Sequence, residues 1–129
     1  MSAVRRHQSG GPWEEAFGYS RAVRAGDRIL VSGCTAVRDG AVEHPADPTG
    51  QARSAFRTAI EAVEALGGTV EDVVRSRMYI VHRRDAEAVG RVHGEILGGV
   101  RPAASMVVVA GLISAELLVE VELEALVGT

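Results

Sequence analysis

Lysine is absent from this chain: all 14 of its cationic side chains are arginine. Without lysine there is no Schiff-base chemistry on the protein, no lysine-bound pyridoxal phosphate and no P-loop lysine. Cys34 is the one cysteine, which excludes an internal disulfide and a multi-cysteine zinc site. The histidines His7, His44, His82 and His93 have no metal-ligand spacing, so no metal is expected. Aromatic residues make up 4% of the chain and its net charge is −3. Nucleic acid, which is gripped by positive charge and stacking, is therefore not an expected partner. There is no apolar run of the roughly 18 residues that a membrane span needs, so no membrane partner is expected. Residues 1–8 lack the apolar core of a signal peptide, and a cytoplasmic location is the expectation.

What is present reads as one domain over residues 1–129, with 1–16 an irregular segment broken by Gly10-Gly11-Pro12. Trp13 and Phe17 are read there as the docked aromatics of a loop. A short strand over 19–23, the turn Ala25-Gly26-Asp27 and a strand over 28–34 predict a hairpin. Arg38-Asp39-Gly40 is a further turn beside a weak strand. Asp47 and Pro48 suit the start of a helix. Its stripe Ala52, Ala55, Phe56, Ala59, Ile60, Val63 and Leu66 steps by three and four, and Gly67-Gly68 stops it. Arg57 and Glu61 are spaced to pair on its polar face.

Residues 73–82 alternate as a strand, with Val74, Ser76, Met78, Ile80 and His82 the drier set and Arg75 and Arg77 on the other face. Asp85 is placed to cap a second helix with the stripe Val89, Val92, His93, Ile96 and Leu97. Residues 103–110 form a short apolar run that suits a strand buried on both faces. Residues 117–127 alternate strictly. Leu117, Val119, Val121, Leu123, Ala125 and Val127 define a dry face, opposite Leu118, Glu120, Glu122, Glu124 and Leu126. Three carboxylates in a row on one strand face repel one another and require water, arginine or a ligand. Arg75 and Arg77 are the candidate partners. Interleaved strands outnumber helices, which predicts an α+β fold with both helices on one sheet face. Copies of the same chain are the natural cover for the other face.

These stretches resemble a known family. The segment Tyr19-Ser20-Arg21-Ala22-Val23 followed by Val31-Ser32-Gly33 is similar to the opening hairpin of the Rid superfamily of YjgF-type reactive-intermediate deaminases, also labelled L-PSP endoribonuclease. Gln51 near the helix start, residues 66–75, and Arg101-Pro102-Ala103-Ala104-Ser105 through Val119-Glu120-Val121-Glu122 resemble its middle and its close. The resemblance implies a chorismate-mutase-like six-stranded mixed sheet with two helices on one face. It implies a homotrimer with small-molecule clefts between subunits. It also implies a cofactor-free hydrolase acting on imines or enamines.

Carried over by position, Glu120 stands where the family acid positions or activates water, and Tyr19 where it has a cleft tyrosine. Ser32, Gly33, Cys34, Ser105 and Met106 stand at cleft-lining positions. Ala104 occupies the position of the arginine that grips the substrate carboxylate in active deaminases, so 2-aminoacrylate is not the expected substrate. Arg101, Arg75 and Arg77 are the candidate replacements. Cys34 reads equally as a packed thiol, and His93, on an apolar stripe, as a packed histidine. A non-catalytic metabolite-binding trimer is the alternative to an enzyme, and a nuclease rests on the family label alone.

Overall fold

A computed structural model describes residues 3–128. Its elements in chain order are β1 (Val4–His7), α1 (Pro12–Phe17), β2 (Ala22–Ala25), β3 (Arg28–Cys34), β4 (Val37–Arg38), β5 (Ala41–Val42), α2 (Pro48–Ala65), β6 (Val73–Ile80), α3 (Ala86–Leu97), β7 (Ala103–Val108) and β8 (Val119–Leu126). Six strands form one mixed sheet in the order β1-β2-β3-β8-β6-β7. The β6–β7 pair is parallel and its connection carries α3; every other pair in this sheet is antiparallel. The strands β4 and β5 form a separate small hairpin, turned by Asp39 and Gly40, both at positive φ. Such a pair suits a two-residue hairpin turn.

The helix α2 begins as its sequence dictates. Asp47 caps it by accepting the Gly50 N–H at 3.0 Å, and Pro48 follows at the first helical position. Its stripe Ala52, Ala55, Phe56, Ala59 and Val63 is buried against the sheet, and α3 adds Val89, Val92 and Leu97. The sheet meets them with Ile29, Val31, Met78, Ile80, Val119, Val121, Leu123 and Ala125. Alternation along β8 is complete, with every second residue buried. Among the described residues the opposite face of the sheet carries no helix layer.

Five expectations need correction. The segment expected to be irregular over 1–16, of which residues 1 and 2 lie outside the described residues, holds the edge strand β1 and most of the helix α1. With β1 pairing only to β2, its residues stay mostly exposed and leave no apolar period to read. Trp13 and Phe17 are not docked but stack on each other, centroids 4.9 Å apart, at 49% and 66% exposure. The first hairpin strand starts at Ala22 rather than Tyr19, because the Tyr19 N–H is still bonded to the Glu14 carbonyl of the preceding turn. The apolar run 103–110 is not buried on both faces. It forms the sheet's parallel edge, paired with β6 alone, and only Met106 of β7 reaches partial burial. An apolar run reports burial without saying which molecule provides it. Finally, a register shift between Val73 and Arg75 puts Val73 in the core and Val74 outside, reversing the alternation at that end.

Two polar expectations also differ. Arg57 does not pair with Glu61; the neighbouring Arg53 bridges to Glu95 of α3 at 3.0 Å. Asp85 sits at the start of α3, but its side chain makes no capping bond, because the preceding 3-10 turn at Arg83–Asp85 places its backbone in a helical conformation.

Candidate functional site

The strand β8 lies at the middle of the sheet, between β3 and β6, and projects its three glutamates from the face that the helices leave bare. The register aligns them with β6 residue by residue: Glu120 with Tyr79, Glu122 with Arg77, Glu124 with Arg75. Their partners divide unequally. Glu124 accepts from Arg77 at 3.1 Å and from Arg28 of β3 at 3.2 Å. Glu122 accepts a short hydrogen bond from the Tyr79 hydroxyl and lies 3.9 Å from the Arg77 guanidinium. That bond, with burial, raises the Tyr79 pKa. Arg75 makes no ion pair with the row. Glu120 alone of the three has no hydrogen bond or ion pair among the described residues.

Glu120 is half-buried and is held by shape. Its carboxylate lies over the α-carbon of Gly33, where β3 shifts register between Val31 and Cys34. A Cβ on residue 33 would stand 2.2 Å from Oε2, so only glycine leaves this space. Burial pushes the Glu120 carboxyl above its ordinary value; Glu122 pushes the same way, and the charge of Arg21 opposes both. The result is a carboxylate more readily protonated than an ordinary glutamate, with free lone pairs and a shaped seat. Such a group can take a proton from a water or give one to a departing nitrogen.

Arg21, just before β2, closes the end of the site. Its Nη1 donates to the Gly33 carbonyl at 2.6 Å and approaches Cys34 Sγ at 3.5 Å. Its Nε lies 3.5 Å from Glu14 Oε2, and its guanidinium carbon lies 5.7 Å from the Tyr19 ring centroid. Glu14 belongs to α1 and is 3% exposed. It is fixed by the Ser9 N–H at 2.9 Å and by the Ser9 hydroxyl. Burial acts to raise its pKa, but the Ser9 bonds and Arg21 outweigh that and leave it lowered.

The other predicted residues scatter. Tyr19 is partly exposed beside Arg21. The Ser32 hydroxyl donates to the Ser20 carbonyl at 2.7 Å, leaving only acceptor capacity. Cys34 does not line the open face: it is 1% exposed within the core, its thiol bonded to the Ser32 carbonyl. Burial pushes its pKa up to about 11, against the opposing charge of Arg21, so its thiol has no nucleophilic character at neutral pH. His93 is packed, edge-on to Phe56 and 2.7 Å from Ser76 Oγ, and burial lowers its pKa.

Ala104 and Met106 pair with Ser76 and Met78, whose side chains are buried under α3, so they lie on the helix side of the sheet edge. Ser105 pairs with Arg77 and shares the open face, but β6 lies between it and β8. Arg101 is exposed in the connection after α3, at positive φ. One chain therefore brings Glu120 onto Gly33, places Tyr19 beside the Arg21 that binds the Gly33 carbonyl, and sets Ala104 and Met106 on the helix side of the sheet, opposite the face that carries Glu120. Sequence reasoning passed over Arg21, Glu14 and Tyr79. Tyr79 was legible from the alternation that placed Arg75 and Arg77. Arg21 was legible from its spacing with Tyr19 and Val23 along one strand face. Glu14 carried no signal, because its segment has no period.

Among the described residues no cluster of three or more His, Cys, Asp or Glu could hold a metal ion, and no helix is long and apolar enough to cross a membrane.

The fold and this arrangement define a small α+β protein with an unpartnered acid on the bare face of its sheet. The chain belongs to the family described as Endoribonuclease L-PSP, whose model matches residues 13–127. An uncharacterized protein of Streptomyces coelicolor is 48% identical over 126 residues, covering 98% of this chain and 94% of its own. Among solved structures, Rv2704 of Mycobacterium tuberculosis, a member of the YjgF/YER057c/UK114 family, is 40% identical with a TM-score of 0.88, over 97% of this chain and 100% of that one. TdcF of Escherichia coli with bound serine is 26% identical with a TM-score of 0.78, over 95% of this chain and 93% of that one.

Proposed function

We propose that this chain is a cofactor-free hydrolase of a small imine or enamine, working in a cleft completed by a second copy of itself within a homotrimer. The carrying observation is Glu120, a half-buried carboxylate seated on Gly33, with its pKa raised and no hydrogen bond among the described residues. Glu120 takes a proton from water as the oxygen adds to the C=N carbon and passes it to the nitrogen, giving a carbinolamine. It then takes the hydroxyl proton and delivers it to the nitrogen as the C–N bond breaks, giving a carbonyl compound and ammonia. A carboxyl whose pKa moves toward neutrality suits both steps.

Several observations support a shared cleft. Leu30 and Val107 on the open face are 43% and 47% exposed, and the family-matched positions divide between opposite faces of one chain. Serine bound to the related TdcF supports a ligand the size of an amino acid. With Ala104 in place of an arginine, a substrate carboxylate loses a charged contact of about 2–5 kcal/mol. 2-Aminoacrylate is therefore not the expected substrate. The same alanine favours a second reading, a trimer that binds a metabolite without turning it over. An RNA-cleaving role is disfavoured by the net charge of −3.

Imines generated in situ provide the test, carboxylate-free ones with an amine oxidase and imino acids with an amino-acid oxidase. The expectation is turnover of an imine without a carboxylate, loss of that turnover in Glu120→Gln, and little action on 2-aminoacrylate. Ala104→Arg should gain activity on the latter. Ligand binding without turnover across the panel would favour the second reading. Light scattering should give three times the chain mass, and a monomer would remove the cleft.

A further inference from the structure

The proposed reaction leaves a buried ion pair unexplained. Arg21 is 11% exposed and Glu14 3%, yet neither belongs to the apolar core. Burying two charges is costly, and replacing such a pair with apolar residues is often neutral or stabilising. The pair is also over-determined. Glu14 is locked by two bonds from Ser9, and Arg21 is thereby oriented so that its Nη1 meets the Gly33 carbonyl. The sequence of contacts runs from the loop before α1, through Glu14 and Arg21, to the peptide on which Glu120 rests. Resting on the proposed role of Glu120, we infer that Arg21, clamped by Glu14, is the positioning residue of the site: it fixes the Gly33 peptide beneath the Glu120 carboxylate and directs a guanidinium charge toward it.

Two features favour this over a purely structural role. The Gly33 carbonyl lies at the register shift of β3, where regular pairing with β8 is interrupted, so Arg21 supplies an acceptor's partner where the ladder is broken. Moreover, the charged and titratable groups acting on Glu120 are few. From its own strand there is Glu122; from β6, Tyr79; from β3, the neutral Cys34 thiol; and from the segment before β2, Arg21. Of these, only Arg21 is cationic, and it opposes the effects of burial and of Glu122.

The test is titration of the Glu120 side-chain carboxyl by carbon-13 NMR in the intact protein, with Glu120→Gln assigning the resonance. In Arg21→Gln the Glu120 pKa should rise by about 1 unit, the low end of the effect of one nearby opposite charge. Arg21→Lys, which keeps the charge, should restore at least half of that shift. A folded Arg21→Gln whose Glu120 titrates within 0.2 units of wild type on the order of experimental error would overturn the inference. If Arg21→Gln does not fold but Arg21→Lys does, Arg21→Lys decides by the same comparison: a Glu120 pKa within about half a unit of wild type supports the inference, and a larger shift overturns it. Failure of both variants to fold would make Arg21 structural and would also overturn it. The titration reads Glu120 whether or not any imine is hydrolysed, so its failure is distinguishable from failure of the proposed reaction.

Discussion

The carboxylate of Glu120 occupies the space that a side chain at Gly33 would fill. The two residues are remote in sequence and meet because β3 and β8 are neighbours in the sheet. Gly33→Ala therefore tests the seat of the acid without touching the acid. The obstructing atoms are the far end of a flexible side chain, so the protein should fold with a loss below the ~1–3 kcal/mol typical of overpacking. Glu120 should swing toward solvent and titrate closer to an ordinary glutamate. A crystal structure of the variant with Glu120 unmoved would contradict the contact.

Glu120 has a pH signature of its own. Its folded pKa is raised above the ordinary 4.5. The fold therefore favours the neutral acid, and its contribution is fully present below the unfolded pKa and lost as pH rises through the folded one. Glu120→Gln removes this dependence. Relative to wild type, the variant should gain stability as pH climbs from 4.5 through the raised carboxyl's titration, and the gain should stay below about 1 kcal/mol because half-exposed charges are screened. Urea unfolding at a series of pH values measures the difference; a constant difference across that range would refute the shift.

Gln51 controls where β8 begins. It is fully buried, donates to the carbonyls of Glu116 at 3.0 Å and His44 at 3.3 Å, and accepts the Leu118 N–H at 2.8 Å. Gln51→Leu keeps the volume and strands these backbone groups, each worth about 1–3 kcal/mol when buried without a partner. The unfolding free energy should drop by roughly 2–4 kcal/mol on that basis. Limited proteolysis should then cut first within residues 111–118. Wild-type stability in this variant would mean that water replaces the amide without loss.

Cys34 should resist thiol reagents. A buried thiol with its pKa near 11 is almost wholly protonated at pH 8. Labelling by a bulky disulfide reagent should follow global unfolding and become immediate in denaturant. Rapid stoichiometric labelling of the native protein would show that the sheet opens locally at β3 without global unfolding.

Elements with a strong period and clear caps were legible in the sequence: α2 with Asp47 and Pro48, and β8 with its alternation of dry and charged faces. What escaped depended on which surface provides the burial. Residues 103–110 are apolar enough for a central strand, yet within one chain they stand at an edge. The N-terminal strand and α1 escaped because an edge strand of four residues and a helix of six leave almost no period. At the site, the positions of Glu120 and Gly33 could be carried over one by one, but their contact depends on a register shift that no spacing rule exposes. The clamp of Glu14 on Arg21 depends on the tertiary placement of a helix that the sequence did not announce.

The position of β8 also bears on the order in which the molecule can assemble. Every other strand of the main sheet precedes it in synthesis, yet it lies at the centre, between β3 and β6. Until it arrives, the chain can form only a three-stranded meander of β1, β2 and β3 and a separate parallel pair, β6 and β7, with nothing joining them edge to edge. A nascent chain halted before Val119 would hold Gly33 and Arg21 on one fragment and Tyr79 on the other. The proposed acid and the seam that unites the two halves are delivered by the same eight residues. The chain's own share of the proposed site and its completed sheet therefore come into existence in a single event.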